Sequence, residues 1–173
     1  DVVVLQSHSL DPLRNPEGFA RDGTTLIERV RESGAEPLLF ETWPRKAGHN
    51  LYNYMDETGG SPAAMLEAVA DRYAALGKAT STPVLSVGHA WASMIDDHPD
   101  LDPYANDGAH PGSVGAYLSA AVIFTALTQR DPQGVVQPHG VTPRAAAAAL
   151  RIAADTIQPP CTWPTDTPTS PPS

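Results

Sequence analysis

Val2-Val3-Val4-Leu5, the segment Gly18 to Ser33, and Pro37-Leu38-Leu39-Phe40-Glu41-Thr42 together decide the fold class. The first is a continuous apolar, β-branched run, the pattern of a strand covered on both faces. The second carries apolar residues at helical spacing through Phe19, Leu26, Ile27 and Val30, and stops at Gly34 in the C-cap position. The third is another apolar strand. Strands alternating with helices in this way predict a parallel sheet with helices on both faces.

The rest of the chain extends that pattern. Gln6 to Pro16 reads as a polar loop, and Trp43 to Gly60 as a long loop rich in Gly, Asn and Tyr. Loops of that length inside a compact domain are often functional. Ser61-Pro62 supplies an N-cap and a first-turn proline for a helix running through Met65, Leu66, Val69, Tyr73 and Leu76 to Gly77. Pro83 to Val87 is a third short strand, and Ala90 to Asp97 a short helix. Pro99 to Pro111 is an Asp-dense loop. Ser113 to Gln129 is apolar around most of its surface, which predicts a buried helix. Thr142-Pro143 opens a last helix to about Ile157. Residues 158–173 form a Pro/Thr/Ser-rich tail of the kind that stays disordered. The expected organisation is one α/β domain over residues 1–157 followed by that tail. In parallel sheets sites form beyond the carboxyl ends of the strands, where Gln6, Trp43 and Gly88 fall. Three strands make a small sheet, so a further central strand is expected outside the chain.

Composition narrows the function classes. The formal net charge is −9 and the basic residues are scattered, among them Arg14, Arg21, Arg29, Arg31, Arg45 and Lys46. No basic patch marks a nucleic-acid surface. No apolar run is long enough to span a bilayer, so no membrane partner is expected. The chain opens on Asp1 and enters a core-type strand at once, so the first residue of the gene is expected upstream. Cys161 is the single cysteine. It can pair with a cysteine elsewhere or stay a free thiol.

The segment Asp107-Gly108-Ala109-His110-Pro111 carries the chemistry. A carboxylate three residues before a histidine can hold the imidazole tautomer and stabilise the imidazolium formed during proton transfer. The competing reading is a turn aspartate beside a surface histidine, since Asp-Gly is a common turn pair. No Gly-x-Ser-x-Gly elbow surrounds any serine; Ser7 and Ser9 are the fallback nucleophiles. Gln6 is either an oxyanion donor or a satisfied polar residue at a strand end. Trp43, Trp91 and His89 are candidates to line a substrate pocket, with packing as the alternative for the tryptophans and a structural role for His89. The run Asp96 to Asp102 lacks the spacing and glycine of a calcium loop. His8, His49, His98 and His139 show no metal-ligand spacing, and no metal or other cofactor is expected.

Four blocks in order resemble the SGNH (GDSL-like) hydrolases, in a bacterial branch related to carbohydrate esterases. They are Asp1 to Ser9; Pro37 to Trp43, ending in Thr-Trp; Pro83 to Trp91, with Gly88-His89-Ala90-Trp91; and Leu101 to Leu118, with Asp107-Gly108-Ala109-His110-Pro111 and Gly115. The resemblance implies a three-layer α/β/α sandwich. It implies that Asp107 and His110 are two members of a Ser–His–Asp triad, with the nucleophilic serine in a block upstream of Asp1. Where the superfamily supplies an asparagine to the oxyanion hole, Gln6 stands. The implied activity is a serine esterase acting on a small O-acyl, chiefly O-acetyl, ester such as one carried by a glycan. The first strand and nucleophile would come from a separate N-terminal segment or chain that completes the sheet. A catalytically inactive carbohydrate-binding or interaction module on the same scaffold is the alternative. The tail resembles linkers of secreted bacterial proteins, which points to an extracytoplasmic location.

Overall fold

The computed structural model describes residues 1–156; the tail and Cys161 lie outside the described residues. Strand β1 (Val2–Leu5) leads through a one-turn helix α1 (Asp11–Arg14) into α2 (Pro16–Glu32) and β2 (Glu36–Phe40). Two 3-10 turns follow, at Asn50–Asn53 and Asp56–Thr58. Then come α3 (Pro62–Thr80), β3 (Val84–Leu85), α4 (Val87–Asp97), α5 (Ser113–Thr128) and α6 (Pro143–Thr156). The strands pair in parallel in the order β1-β2-β3, with Val4 opposite Leu38 and Phe40 opposite Leu85.

Alternation along β2 builds two cores, because successive side chains in a strand point to opposite faces. Leu38 and Phe40, with Leu85, pack into a core made by α4, α5 and α6. Leu39 packs into a second core with Leu13, Phe19, Ile27, Val69 and Tyr73 from α1, α2 and α3. Burying one such side chain stabilises the fold by about 1.5–3 kcal/mol. Helices therefore cover both faces of the sheet and make the three-layer α/β/α sandwich.

Strand β1 departs from the expectation. Val2, Val3 and Val4 are 41%, 37% and 38% exposed, and none belongs to either core. A β-branched apolar run specifies a strand, but not what covers it. β1 is the edge of the described sheet, and its outer side carries no partner strand among the described residues.

Two glycines explain other differences from the expected boundaries. Gly77 does not end α3, which continues to Thr80 and closes on Ser81 in the left-handed conformation at φ 51°. A Cβ at Gly77 would stand 2.7 Å from Val84 Cγ2 and 2.8 Å from the Thr82 carbonyl. Close approach of α3 to β3 requires glycine there, and a helix stop does not. Helix α4 starts at Val87, three residues before the expected Ala90, and Gly88 lies in its first turn. A Cβ at Gly88 would lie 2.6 Å from the Thr42 carbonyl, so glycine lets the helix start against the end of β2. The polar loop after β1 contains the short helix α1, whose Pro12 and Leu13 are buried.

Glu41, just past β2, is 3% exposed. Its Oε1 accepts the His89 backbone N–H at 3.3 Å and meets His89 Nδ1 at 2.9 Å. The first turn of a helix is a favourable place for a carboxylate. Burial nevertheless pushes the Glu41 pKa up, more strongly than the hydrogen bonds and charge of His89 pull it down.

Two outcomes follow for stability. Gly115, in the first turn of α5, would place a Cβ 2.4 Å from the Trp91 ring and 2.3 Å from the Pro103 carbonyl. Gly115→Ala should lose about 1–3 kcal/mol, read from urea unfolding. For Glu41 the folded-state pKa lies above the unfolded one. The folded state therefore holds the proton longer, and the stability of the wild type falls as pH rises through the window between the two values. Glu41→Gln removes that slope. Unfolding free energies compared from about pH 4 to about pH 7 should move in favour of the variant as pH rises; a difference that is flat or falls would contradict this origin of the slope.

Candidate active site

The Asp107–His110 turn stands just before α5. Gly108 adopts φ 65°, a left-handed conformation that glycine takes without steric cost. The turn is closed from both sides. Ala105 N–H donates to the His110 carbonyl at 2.8 Å, Gly112 N–H donates to the Pro103 carbonyl, and Lys46 N–H donates to the Gly108 carbonyl at 2.9 Å. The last bond attaches the turn to the loop that follows β2.

Within the turn, Asp107 Oδ1 accepts the backbone N–H groups of Ala109 and His110, both at 2.9 Å. Its Oδ2 meets His110 Nδ1 at 2.6 Å. The hydrogen bond from the imidazole, followed by the two backbone N–H bonds, holds the Asp107 carboxyl well below the usual carboxylate range. An ionised acceptor at Nδ1 sets the tautomer that leaves the Nε2 lone pair free. The His110 side chain is 80% exposed, so Nε2 is accessible. The pair therefore has the geometry of an oriented general base.

Trp43 anchors this turn to the core. Its Nε1 donates to the Ala109 carbonyl at 3.0 Å, and its ring stacks on Trp91 with centroids 4.1 Å apart and planes 3° from parallel. Trp91 has no exposed surface and donates from Nε1 to Ser119 Oγ on α5 at 3.0 Å. A fully buried ring offers no face to a substrate, so Trp91 takes the packing role that stood as the alternative to a pocket wall. Trp43 is half-buried and borders the core.

The segment after β1 reaches the turn indirectly. Gln6 is exposed, and its side chain makes no hydrogen bond to another described residue. Ser7 is tied to Tyr73 of α3: its N–H donates to Tyr73 Oη at 3.3 Å, and its Oγ lies 3.2 Å from the same atom. Burial raises the Tyr73 pKa. Among the described residues, Asp107 is the hydrogen-bond partner of the His110 side chain, and neither Ser7 nor Ser9 bonds to it. Ser9 Oγ instead accepts from Arg45 Nη2 at 2.8 Å. Arg45 also feels the charge of Asp107. Its guanidinium reaches the segment after β1 at Ser9, and the next residue, Lys46, donates its backbone N–H to the Gly108 carbonyl of the Asp107–His110 turn. Sequence reasoning counted Arg45 only among scattered bases; its signal was its place directly after the strand-end Trp43-Pro44.

His89 is placed elsewhere. With Ser86, Ser93, Asp97 and Arg151 it lines a polar groove between α4 and α6, of which Gln6, Trp43, Asp107 and His110 are not part. Its ring is paired with Glu41 through Nδ1 and is half exposed. Among the described residues no three His, Cys, Asp or Glu side chains group to hold a metal ion. No described helix is long and apolar enough to cross a membrane.

No family model matches the chain, and no curated protein matches it. Two solved structures are similar. One is a DUF4886 family protein from Bacteroides uniformis, with a TM-score of 0.73 and 20% identity over 91% of this chain and 62% of that one. The other, from Slackia heliotrinireducens, carries a provisional SGNH hydrolase assignment; its TM-score is 0.56 and its identity 24%, over 90% of this chain and 65% of that one. The chain thus spans less than two thirds of the length of either neighbour. Together with the parallel sheet and its two helical layers, these likenesses give the chain an SGNH-hydrolase-like α/β fold.

Proposed function

We propose that the protein is a serine esterase of SGNH type that hydrolyses a small O-acyl ester, chiefly an acetyl group, carried by a glycan. The observation that carries this reading is the Asp107–His110 pair, held in a closed turn with Nδ1 bonded to an ionised carboxylate and Nε2 open. His110 would take the proton of a serine hydroxyl as it attacks the ester carbonyl, then return it to the leaving alcohol. Asp107 would keep the imidazole oriented and stabilise its cationic form. Gln6, exposed beyond β1, would donate to the oxyanion. The apolar substrate wall would be Trp43.

The nucleophile is proposed to come from a segment outside residues 1–173. Ser7 is engaged by Tyr73 and Ser9 by Arg45, while the edge of β1 exposes three valines to which a further parallel strand could add. Such a strand would end at the same edge as Gln6, which is where a parallel sheet places a catalytic residue.

Labelling the native protein with a fluorophosphonate, followed by peptide mass spectrometry, locates the nucleophile. The expected label falls on a serine outside this chain's 173 residues. A label on Ser7 or Ser9 would move the nucleophile into the chain. Absence of label and of phenyl acetate turnover, with saturable glycan binding, would favour a non-catalytic binding module. In the active protein His110→Ala should lower kcat by at least about 10². Asp107→Asn should lower it by about 10²–10⁴ with little change in KM, because the carboxylate acts on the base and not on bound substrate.

A further inference from the structure

We infer that Arg45 is an anion-recognising residue of this site and that the substrate carries a carboxylate close to the ester that is cleaved. The inference rests on the hydrolase reading above and deepens it by naming the substrate class.

Arg45 is half-buried, and a guanidinium stays charged throughout the working pH range. Burial pulls its pKa down. A buried or half-buried charge is ordinarily paired. Arg45 forms no ion pair among the described residues, whereas its neighbour Lys46 does. Its recorded hydrogen bond from the guanidinium goes to the neutral Ser9 hydroxyl through Nη2. A guanidinium has five N–H donors, so most remain for a ligand.

Asp107 does not answer that need. It forms no ion pair with Arg45: its Oδ1 is taken by two backbone N–H groups and its Oδ2 by His110. The neighbouring Lys46 is neutralised by Asp102 at 2.5 Å. What is left is one unpaired cation with a planar fork of donors, beside the segment after β1. That fork matches a carboxylate, which it can hold through two parallel bonds. A dianion such as a phosphate monoester fits less well, because Asp107 stands beside the site and the chain carries a net charge of −9. Because Lys46, the residue after Arg45, is bonded to Gly108 in the turn that carries His110, the carboxylate is assigned to the same molecule as the ester.

The test uses the native active protein and two matched esters, 3-acetoxybenzoate and its neutral amide 3-acetoxybenzamide. The wild type should favour the benzoate in kcat/KM. Arg45→Gln should lower that preference by about 10- to 100-fold, the range of a charge-assisted hydrogen bond, mostly through KM. Arg45→Lys, which keeps the charge, should retain part of it. A wild-type preference near one, or a preference equal in wild type and Arg45→Gln, would overturn the inference and leave Arg45 as a clamp on Ser9. If the wild type hydrolyses neither ester, the hydrolase reading itself is in error. The anion site is then decided by NMR titration of the Arg45 Nε–H resonance with benzoate against benzamide. A saturable shift with benzoate alone supports the site, and no shift removes it.

Discussion

The turn that carries His110 rests, through Trp43, on Trp91. That ring is sealed from solvent, bonded to Ser119 and crossed edge-on by Tyr104 at 5.0 Å. Trp43 lies flat against it and holds the Ala109 carbonyl. A stacked aromatic pair adds about 0.5–1.5 kcal/mol beyond the area it buries, but position matters more here than energy. A rigid plane beneath the turn fixes where the turn sits. Tyr104 reinforces the arrangement from the other side by donating to the Pro44 carbonyl. The Asp107–His110 turn is thus an exposed loop with a buried foundation, which reconciles an open imidazole with a defined geometry.

Much of the fold was legible because the relevant signals are local. The strands at Val2, Pro37 and Pro83 and the helices opened by Ser61-Pro62 and Thr142-Pro143 follow from apolar runs, caps and proline positions. What was not legible depends on neighbours distant in sequence. Nothing in Val2-Val3-Val4 says that its flanks are open. Nothing in Gly77 distinguishes a helix stop from a contact with Val84 and the Thr82 carbonyl. In both cases the deciding partner is supplied by the tertiary fold.

The site divides in the same way. Asp107 and His110 share one turn, so their spacing in the chain already contains their geometry. Trp91 and Arg45 do not: whether an indole faces solvent or a core, and whether an arginine meets a carboxylate, is settled by other elements. His89 shows the point most clearly. Its pairing with Glu41 joins the end of one strand to the start of a helix 48 residues later, and no local pattern announces it.

The alternating faces of β2 have a consequence for how the molecule comes apart. One core is drawn almost entirely from residues before β3, and the other, apart from Leu38 and Phe40, from residues after Val84. The sheet therefore separates an early half of the chain from a late half, and β2 alone contributes heavily to both. Adjacent leucines on that strand report on different halves: Leu39 on the early one, Leu38 on the late one. The two layers are coupled through this five-residue strand and through contacts just beyond it, such as Glu41 with His89 and Lys46 with Gly108. The late layer, which carries His110, is the one whose local opening could take the site apart while the early layer stays closed.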